Sequence, residues 1–265
     1  MCTLYLKLPY QSLFVIMTNC EKIVKKLSLK YGFYISPKKV KGNNCQKIYV
    51  IKNDSSYTIS TTNSIDNVEK PIEYIDQYIH KYNKFSEKIF ALHGAAVEWK
   101  GCASLFLAPT SSGKTTLTTF LTNHGCGYLT DDCVLVDRSN FNICPQSTPI
   151  QLREGGYRLL EEMGEVPPNI CVLDEPPLRR LTYTPSYCIK HPIPLNKIYF
   201  IQRNESINKT MPMSSVEKIE ELIKSPIIEY PIGFEYIKFI SRLAQIECLR
   251  MLYKDFDYVE KIIQS

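Results

Sequence analysis

At 265 residues the chain is long enough for one substantial core, or for a main domain beside a smaller one. Hydrophobic residues make up 44% and charged residues 22%, an ordinary globular balance that excludes a disordered or low-complexity chain. The net charge of +5 is modest and the lysines are interleaved with acids, so no nucleic-acid partner is expected.

Ten cysteines stand at 2, 20, 45, 102, 126, 133, 144, 171, 188 and 248 without a C-x-x-C pair. With no compact ligand cluster for zinc, they read as reduced thiols, with Cys102 a small hydrophobe in a central sheet. Only Lys7 precedes a short apolar stretch broken by Pro9, Gln11 and Ser12, which makes a poor signal peptide. No run approaches the roughly 18 apolar residues that span a bilayer, so a cytoplasmic protein with no membrane partner is expected.

Residues 1 to about 62 read as β-rich, with Leu13–Met17 and Ile48–Ile51 as strands between Gly, Asn and Pro. Glu21–Leu29 could instead form a short amphipathic helix, because Ile23, Val24 and Leu27 share one face. From Ile72 to Phe90, Ile72, Ile75, Tyr78, Ile79 and Tyr82 recur at helical spacing. The domain boundary is placed near this helix: a small β-rich N-terminal module over 1–88 and an α/β domain over 89–265. The module is assigned to substrate recognition or assembly.

The second domain alternates strand and helix. Ala95–Trp99 and Ala103–Leu107 flank a turn at Lys100–Gly101 and predict a hairpin. Lys114–Asn123 follows as a helix with Leu117, Phe120 and Leu121 on one face and Gly125 just past its end. Cys133–Val136 and Leu195–Gln202 read as strands. Ser214–Lys224 opens on a capping box, Ser214 with Glu217. Phe234 to about Ala244 reads as a helix, Glu247–Tyr253 as a strand and Tyr258–Ile263 as a last helix. Pro167, Pro168, Pro176, Pro177, Pro185, Pro192 and Pro194 predict a long excursion with little regular structure, suited to a substrate-facing wall.

The chemistry concentrates after the hairpin. The run Leu105-Phe106-Leu107-Ala108-Pro109-Thr110-Ser111-Ser112-Gly113-Lys114-Thr115-Thr116 reads as a buried strand, a phosphate-wrapping loop and a helix start. Such a loop works because backbone N–H groups turn inward and the helix N-terminus presents partial positive charge to an anion. Gly113 lets the chain pass close to phosphates, Lys114 reaches them, and the Thr115 hydroxyl suits Mg²⁺. Ala108 occupies the first glycine position of the usual pattern.

Asp131 and Asp132 stand just before the apolar Cys133–Val136 run. Neighbours on a strand face opposite sides, so one carboxylate can serve the metal and the other can take the proton of an attacking hydroxyl. Taken alone, two solvated acids in a turn are the blander reading. His93 is a packing residue unless the fold brings it beside Asp131, where it could tune that carboxylate. Arg153 either stabilises charge on a transferred phosphate or pairs on the surface with Glu154 or Glu161. Arg179–Arg180 reads as a solvated basic loop or an anion grip. His80, His124 and His191 are left structural.

Leu92-His93-Gly94-Ala95-Ala96-Val97-Glu98-Trp99, the 106–116 segment and Gly127-Tyr128-Leu129-Thr130-Asp131-Asp132 together resemble the HPr kinase/phosphorylase-like kinases, which are related in fold to phosphoenolpyruvate carboxykinases. The resemblance is clear over about 90–160 and weaker through Leu195–Arg203 and Cys248–Ile263. It implies an HPr-kinase/carboxykinase-like P-loop core of mixed sheet and helices. It also implies ATP and Mg²⁺ as cofactors. Pro109, Thr110, Ser111, Ser112, Gly113, Lys114, Thr115 and Thr116 would bind nucleotide, and Thr115 and Asp132 would serve the metal. Asp131 matches the family's general base and His93 the histidine near it; Lys114 and, from the residue reading alone, Arg153 complete the catalytic set. The later glycine- and arginine-rich signature of full HPr kinases is absent, and the chain is short for a carboxykinase. What remains resembles compact peptide-modifying members such as lasso-peptide kinases.

The expected activity is therefore an ATP- and Mg²⁺-dependent kinase acting on a Ser or Thr hydroxyl of a peptide or small protein, such as a ribosomally made natural-product precursor. A homo-oligomer is compatible with this. A small-molecule kinase for free serine or a sugar would share every motif. A nucleotide-gated switch or NTPase would share the loop without needing a base aimed at an acceptor, and a binding-only descendant would hold ATP without turnover.

Overall fold

Local sequence patterns build two units, Met1–Ser86 and Glu87–Ser265. The computed structural model describes residues 1–8, 13–31, 34–37, 45–84, 88–146, 148–175, 178–226 and 233–265; side chains are not described at 29, 80–84, 172–175 and 178–180. Pro176, Pro177, and the side chains of His80, Arg179 and Arg180 thus lie outside the described residues.

In the first unit, alternation of apolar side chains produces a five-stranded sheet in the order β1 (Cys2–Lys7), β2 (Leu13–Thr18), β3 (Cys45–Lys52), β4 (Tyr57–Ser60), β5 (Ile65–Val68). β2 and β3 run parallel, and the helix predicted from Ile23, Val24 and Leu27 forms the crossover between them as α1 (Glu21–Tyr31). Leu4, Leu6, Phe14, Ile16, Ile48, Val50 and Ile59 point from one sheet face into a core with Ile23 and Leu27 of α1. Ile75 and Ile79 of α2 (Pro71–Lys84) complete that core. Asp76 ties the two helices by accepting from Tyr31 Oη and pairing with Lys30 Nζ at 2.8 Å.

The helical pattern predicted through Phe90 stops earlier. Ile89–Leu92 is a strand, β6, with all four residues buried, and it pairs antiparallel with β10 (Val134–Asp137). A four-residue apolar run carries no period that separates a buried strand from a helix. The second unit is built on a nine-stranded mixed sheet. Its path is β6, β10, β11 (Asn142–Cys144), β15 (Ile193–Arg203), β8 (Cys102–Leu107), β7 (Gly94–Trp99), β9 (Gly127–Thr130). β17 (Glu247–Tyr253) lies beside β15, and β16 (Lys209–Pro212) beside β17.

The β7–β8 hairpin forms as expected, closed by left-handed Lys100 (φ 50°) and Gly101 (φ 81°), both positive as a type I′ turn requires. Cys102, expected inside the sheet, is exposed at the first position of β8. All ten cysteines are free.

Alternation sorts the strand residues onto two faces. Leu105, Leu107, Ile198, Phe200 and Cys248 face a core closed by α5 (Ser215–Lys224) and α6 (Phe234–Leu243). Phe106, Tyr199, Ile201, Met251 and Tyr253 face a second core. Leu117, Phe120 and Leu121 of α3 (Lys114–Asn123) fill that core together with Leu160 of α4 (Glu154–Glu162) and Val259 and Ile263 of α7 (Phe256–Gln264). The result is a sheet between helical layers, a mixed α/β architecture that holds five of the seven helices among the described residues. The Ser214–Glu217 capping box opens α5. Gly125 (φ 91°) ends α3, where Cys126 N–H reaches Leu121 O at 3.0 Å and Gly125 N–H reaches Thr122 O at 3.4 Å, a Schellman closure.

The proline-rich excursion has more regular structure than expected. β12 (Ile150–Arg153), β14 (Leu178–Tyr183) and β13 (Cys171–Glu175) form a three-stranded antiparallel sheet, with α4 following β12. Ile150, Leu152, Leu181 and Tyr183 alternate inward against the α3 core, and this burial outweighs the nearby prolines.

Candidate functional site

β8, β15 and β17 are parallel, so their carboxyl ends Leu107, Arg203 and Tyr253 line one edge of the sheet. Antiparallel β7 begins at that edge, with Gly94 opposite Leu107, which places His93 there too. The edge is where the chain leaves β8, turns through residues 108–113 and enters α3 at Lys114. Ser111 (φ 66°) and Gly113 (φ 90°) are both left-handed, and α3 begins without a side-chain cap.

Lys114 is only 4% exposed, and its ammonium has a partner for each of its three protons. It donates to Ala108 O at 2.8 Å, to Pro109 O at 3.0 Å and to His93 Nε2 at 3.2 Å. Because Nε2 accepts, the His93 proton sits on Nδ1, which donates to Asp132 O at 3.2 Å. Burial and the Lys114 charge lower the His93 pKa, with Asp132 opposing, so the ring is neutral. Burial also lowers the Lys114 pKa, against the pull of Asp132 and Asp131.

The two acids occupy a turn between β9 and β10, not the strand itself, which starts at Val134. Cys133 N–H bonds Asp131 O at 2.9 Å, and Asp132 is left-handed at φ 66°. The turn, and not strand alternation, separates the carboxylates. Asp131 is buried beside the Thr115 hydroxyl, while Asp132 is exposed and lines the cavity. Burial, then the neighbouring Asp132 charge, push the Asp131 carboxyl up to about 7, with Thr115 and Lys114 opposing.

Arg153 reaches the loop from β12: its Nη1 donates to Ser111 Oγ at 2.7 Å. The surface pairing expected as the alternative is taken by its neighbour, since Arg158 Nη2 meets Glu154 at 2.6 Å. α4 can approach because Gly156 has no side chain; a Cβ there would stand 2.5 Å from Thr116 Oγ1. Ser112 and Thr115 are half-buried within the loop and helix start, Thr116 is buried, and Pro109, Thr110 and Ser111 form an exposed rim.

His93, the 108–113 loop, Lys114, Thr115, Thr116, Asp132 and Arg153 line a cavity of about 980 Å³, and Asp131 lies buried behind that lining. Its outer wall holds residues that sequence reasoning missed: Gln202 and Arg203 at the end of β15, Arg250 on β17 and Glu221 on α5. Arg250 Nη2 stands 3.9 Å from both Glu217 and Glu221. An arginine interrupting Leu249–Met251 in an apolar strand was the available signal.

Three buried side-chain polar atoms among the described residues have no hydrogen-bond partner: Ser112 Oγ, Asp131 Oδ1 and Tyr253 Oη. All three adjoin this loop, because a Cβ on Gly113 would lie 3.4 Å from Tyr253 Oη and the Thr115 hydroxyl is beside Asp131. Orphaned buried polar atoms are costly unless a ligand or ion uses them. Among the described residues no group of three or more His, Cys, Asp or Glu could hold a metal by itself. Mg²⁺ commonly takes only one or two carboxylates and completes its shell with water and substrate phosphates. The Thr115 hydroxyl and the acids 131 and 132 fit that requirement, and Lys114 with the 108–113 loop fits a polyphosphate.

No protein-family model and no curated protein matches the chain. Among solved structures it is similar to the HPr(Ser) kinase/phosphatase from Coxiella burnetii, with 11% identity and a TM-score of 0.34 over 66% of this chain and 88% of that one.

Proposed function

We propose that the Glu87–Ser265 unit is an ATP- and Mg²⁺-dependent kinase that phosphorylates a Ser or Thr hydroxyl of a peptide or small protein. The observation that carries this reading is the convergence of Lys114, two carboxylates of different burial and all three orphaned polar atoms on one loop. A magnesium nucleotide, when bound, supplies the phosphoryl group and neutralises charge around it. The 108–113 backbone and Lys114 would hold the phosphates, Thr115 and Asp132 would hold the metal, and Arg153, already at Ser111, would place positive charge where negative charge develops.

Asp131 would take the proton of the acceptor hydroxyl as the new phosphorus–oxygen bond forms and the bond to the departing nucleoside diphosphate breaks. A base held near the working pH suits that task, and burial lifts Asp131 to about 7. His93 is a positioning residue: neutral and tautomerically fixed, it holds the Asp132 carbonyl and the Lys114 ammonium in register. The Met1–Ser86 unit is assigned to substrate recognition or assembly.

Asp131→Asn tests the reading. Phosphoryl transfer is expected to fall by about 10²–10⁴ with nucleotide affinity retained; a switch protein would change little. Incubation with labelled ATP, candidate peptides and free serine, followed by mass spectrometry, identifies the acceptor. Turnover of free serine with every peptide unlabelled would overturn the peptide assignment.

A further inference from the structure

Tyr253 ends β17 as a fully buried side chain, its ring 5.8 Å from that of Phe256 and its backbone carbonyl accepting from Asn204 N–H at 2.8 Å. The aromatic body is therefore well placed in the core. Its hydroxyl is not: Tyr253 Oη is buried without a partner, where phenylalanine would fill the same space at no polar cost. The position of that oxygen is specific. A Cβ built on Gly113 would meet it at 3.4 Å, so it underlies the residue between Ser112 and Lys114. Ser112 Oγ is itself buried and unpartnered. Two orphaned hydroxyls thus flank one left-handed glycine, on a loop whose lysine is bonded to the loop's own carbonyls.

We propose that Tyr253 and Ser112, each without a partner in the ligand-free structure, form a hydroxyl relay when the loop closes around a polyphosphate, Tyr253 donating to Ser112 Oγ and Ser112 donating in turn to a phosphate oxygen. This rests on the nucleotide-binding reading of the loop. A serine hydroxyl has one proton to give and room to accept, so accepting from tyrosine leaves its proton aimed at the ligand. Burial pushes the Tyr253 phenol up to about 12, which keeps it a donor across the physiological range. In the relay Tyr253 acts through Ser112 and is a positioning residue.

Binding of the magnesium complex of a non-hydrolysable ATP analogue, measured calorimetrically on the full chain, tests this with Y253F, S112A and the double variant. Each single change is expected to weaken binding about tenfold, the scale of one lost hydrogen bond, and the double variant no further than either single one. The ligand-free melting temperature of Y253F should stay equal to the wild type or rise, because a buried orphan has been removed. Affinity of Y253F within twofold of the wild type, or strictly additive losses in the double variant, would overturn the relay while leaving the kinase reading standing. No binding by the wild type would sink both. If Y253F does not fold, 3-fluorotyrosine at 253 is followed by fluorine NMR: a resonance that moves on adding the analogue supports the relay, and an unmoved one refutes it.

Discussion

Replacing His124 with Gln removes a clamp at the far end of the helix that starts with Lys114. His124 caps α3, its ring 4.1 Å from that of Phe120. Its Nδ1 is 2.9 Å from Glu260 on α7 and its Nε2 is 3.2 Å from Glu165, just beyond α4. Carboxylates at both nitrogens require both to be N–H donors, so the ring is an imidazolium. Burial pulls its pKa down, but the hydrogen bonds and charges of Glu165 and Glu260 outweigh it, and the value is raised above 6.5. A hydrogen bond to a charged group contributes about 1.5–3 kcal/mol when buried and about 0–1 kcal/mol when exposed. With the three side chains 22–28% exposed, about 1 kcal/mol per bond is reasonable, or about 2 kcal/mol for the clamp. At roughly 2–4 °C per kcal/mol for a body of this size, H124Q should melt about 4–8 °C lower at pH 6. A raised folded pKa means the contribution is complete below the unfolded value of 6.5 and lost as pH rises through the folded one. Melting curves of both proteins from pH 5.5 to 9 should therefore show a gap that narrows with pH. A gap independent of pH, or none at pH 6, would refute the imidazolium clamp.

The site yields three further expectations. Arg153→Ala should lower phosphoryl transfer about 10²-fold with nucleotide affinity little changed, and steady-state rates within twofold of the wild type would return Arg153 to the role of a surface charge. Gly113→Ala places a side chain at φ 90°, at a cost of about 1–2 kcal/mol in thermal melts, and should weaken nucleotide binding at least tenfold by calorimetry. Gly94→Ala would put a Cβ 2.7 Å from the Phe106 carbonyl oxygen, so a loss of about 1–3 kcal/mol or more is expected in chemical denaturation, along with displacement of the adjacent His93. Unchanged stability there would show that the β7–β8 contact yields more readily than a paired strand should.

The parts of the fold that were legible in sequence depend on nearest neighbours. Lys114–Asn123 is a helix because its apolar face and its closing Gly125 are encoded within the segment, and Ser214 with Glu217 announces α5 in the same local way. The helical reading runs on to Phe90 because Ile89 and Phe90 fit either period, and only the pairing of Ile89–Leu92 with Val134–Asp137 decides between them. The sheet under the proline-rich segment was missed for a related reason. Its stability comes from burying Ile150, Leu152, Leu181 and Tyr183 against α3, a contact with no trace in local propensity.

At the site the division is the same, and it carries a functional meaning. Gly113, Lys114, Thr115 and the two acids could be read because spacing along the chain puts them in one motif. Arg203 and Tyr253 could not, since only the parallel pairing of β15 and β17 brings their strand ends to the loop. Nor was the turn at Asp132 foreseeable, because a left-handed aspartate breaks the backbone preference that sequence reasoning relies on. Two of the four left-handed non-glycine residues, Ser111 and Asp132, and all three orphaned polar atoms among the described residues fall around this one loop. Each such feature costs stability, and scatter over the surface would be the expectation if they were mere imperfections. Their concentration beside Lys114 is the feature that the proposed magnesium-nucleotide site accounts for.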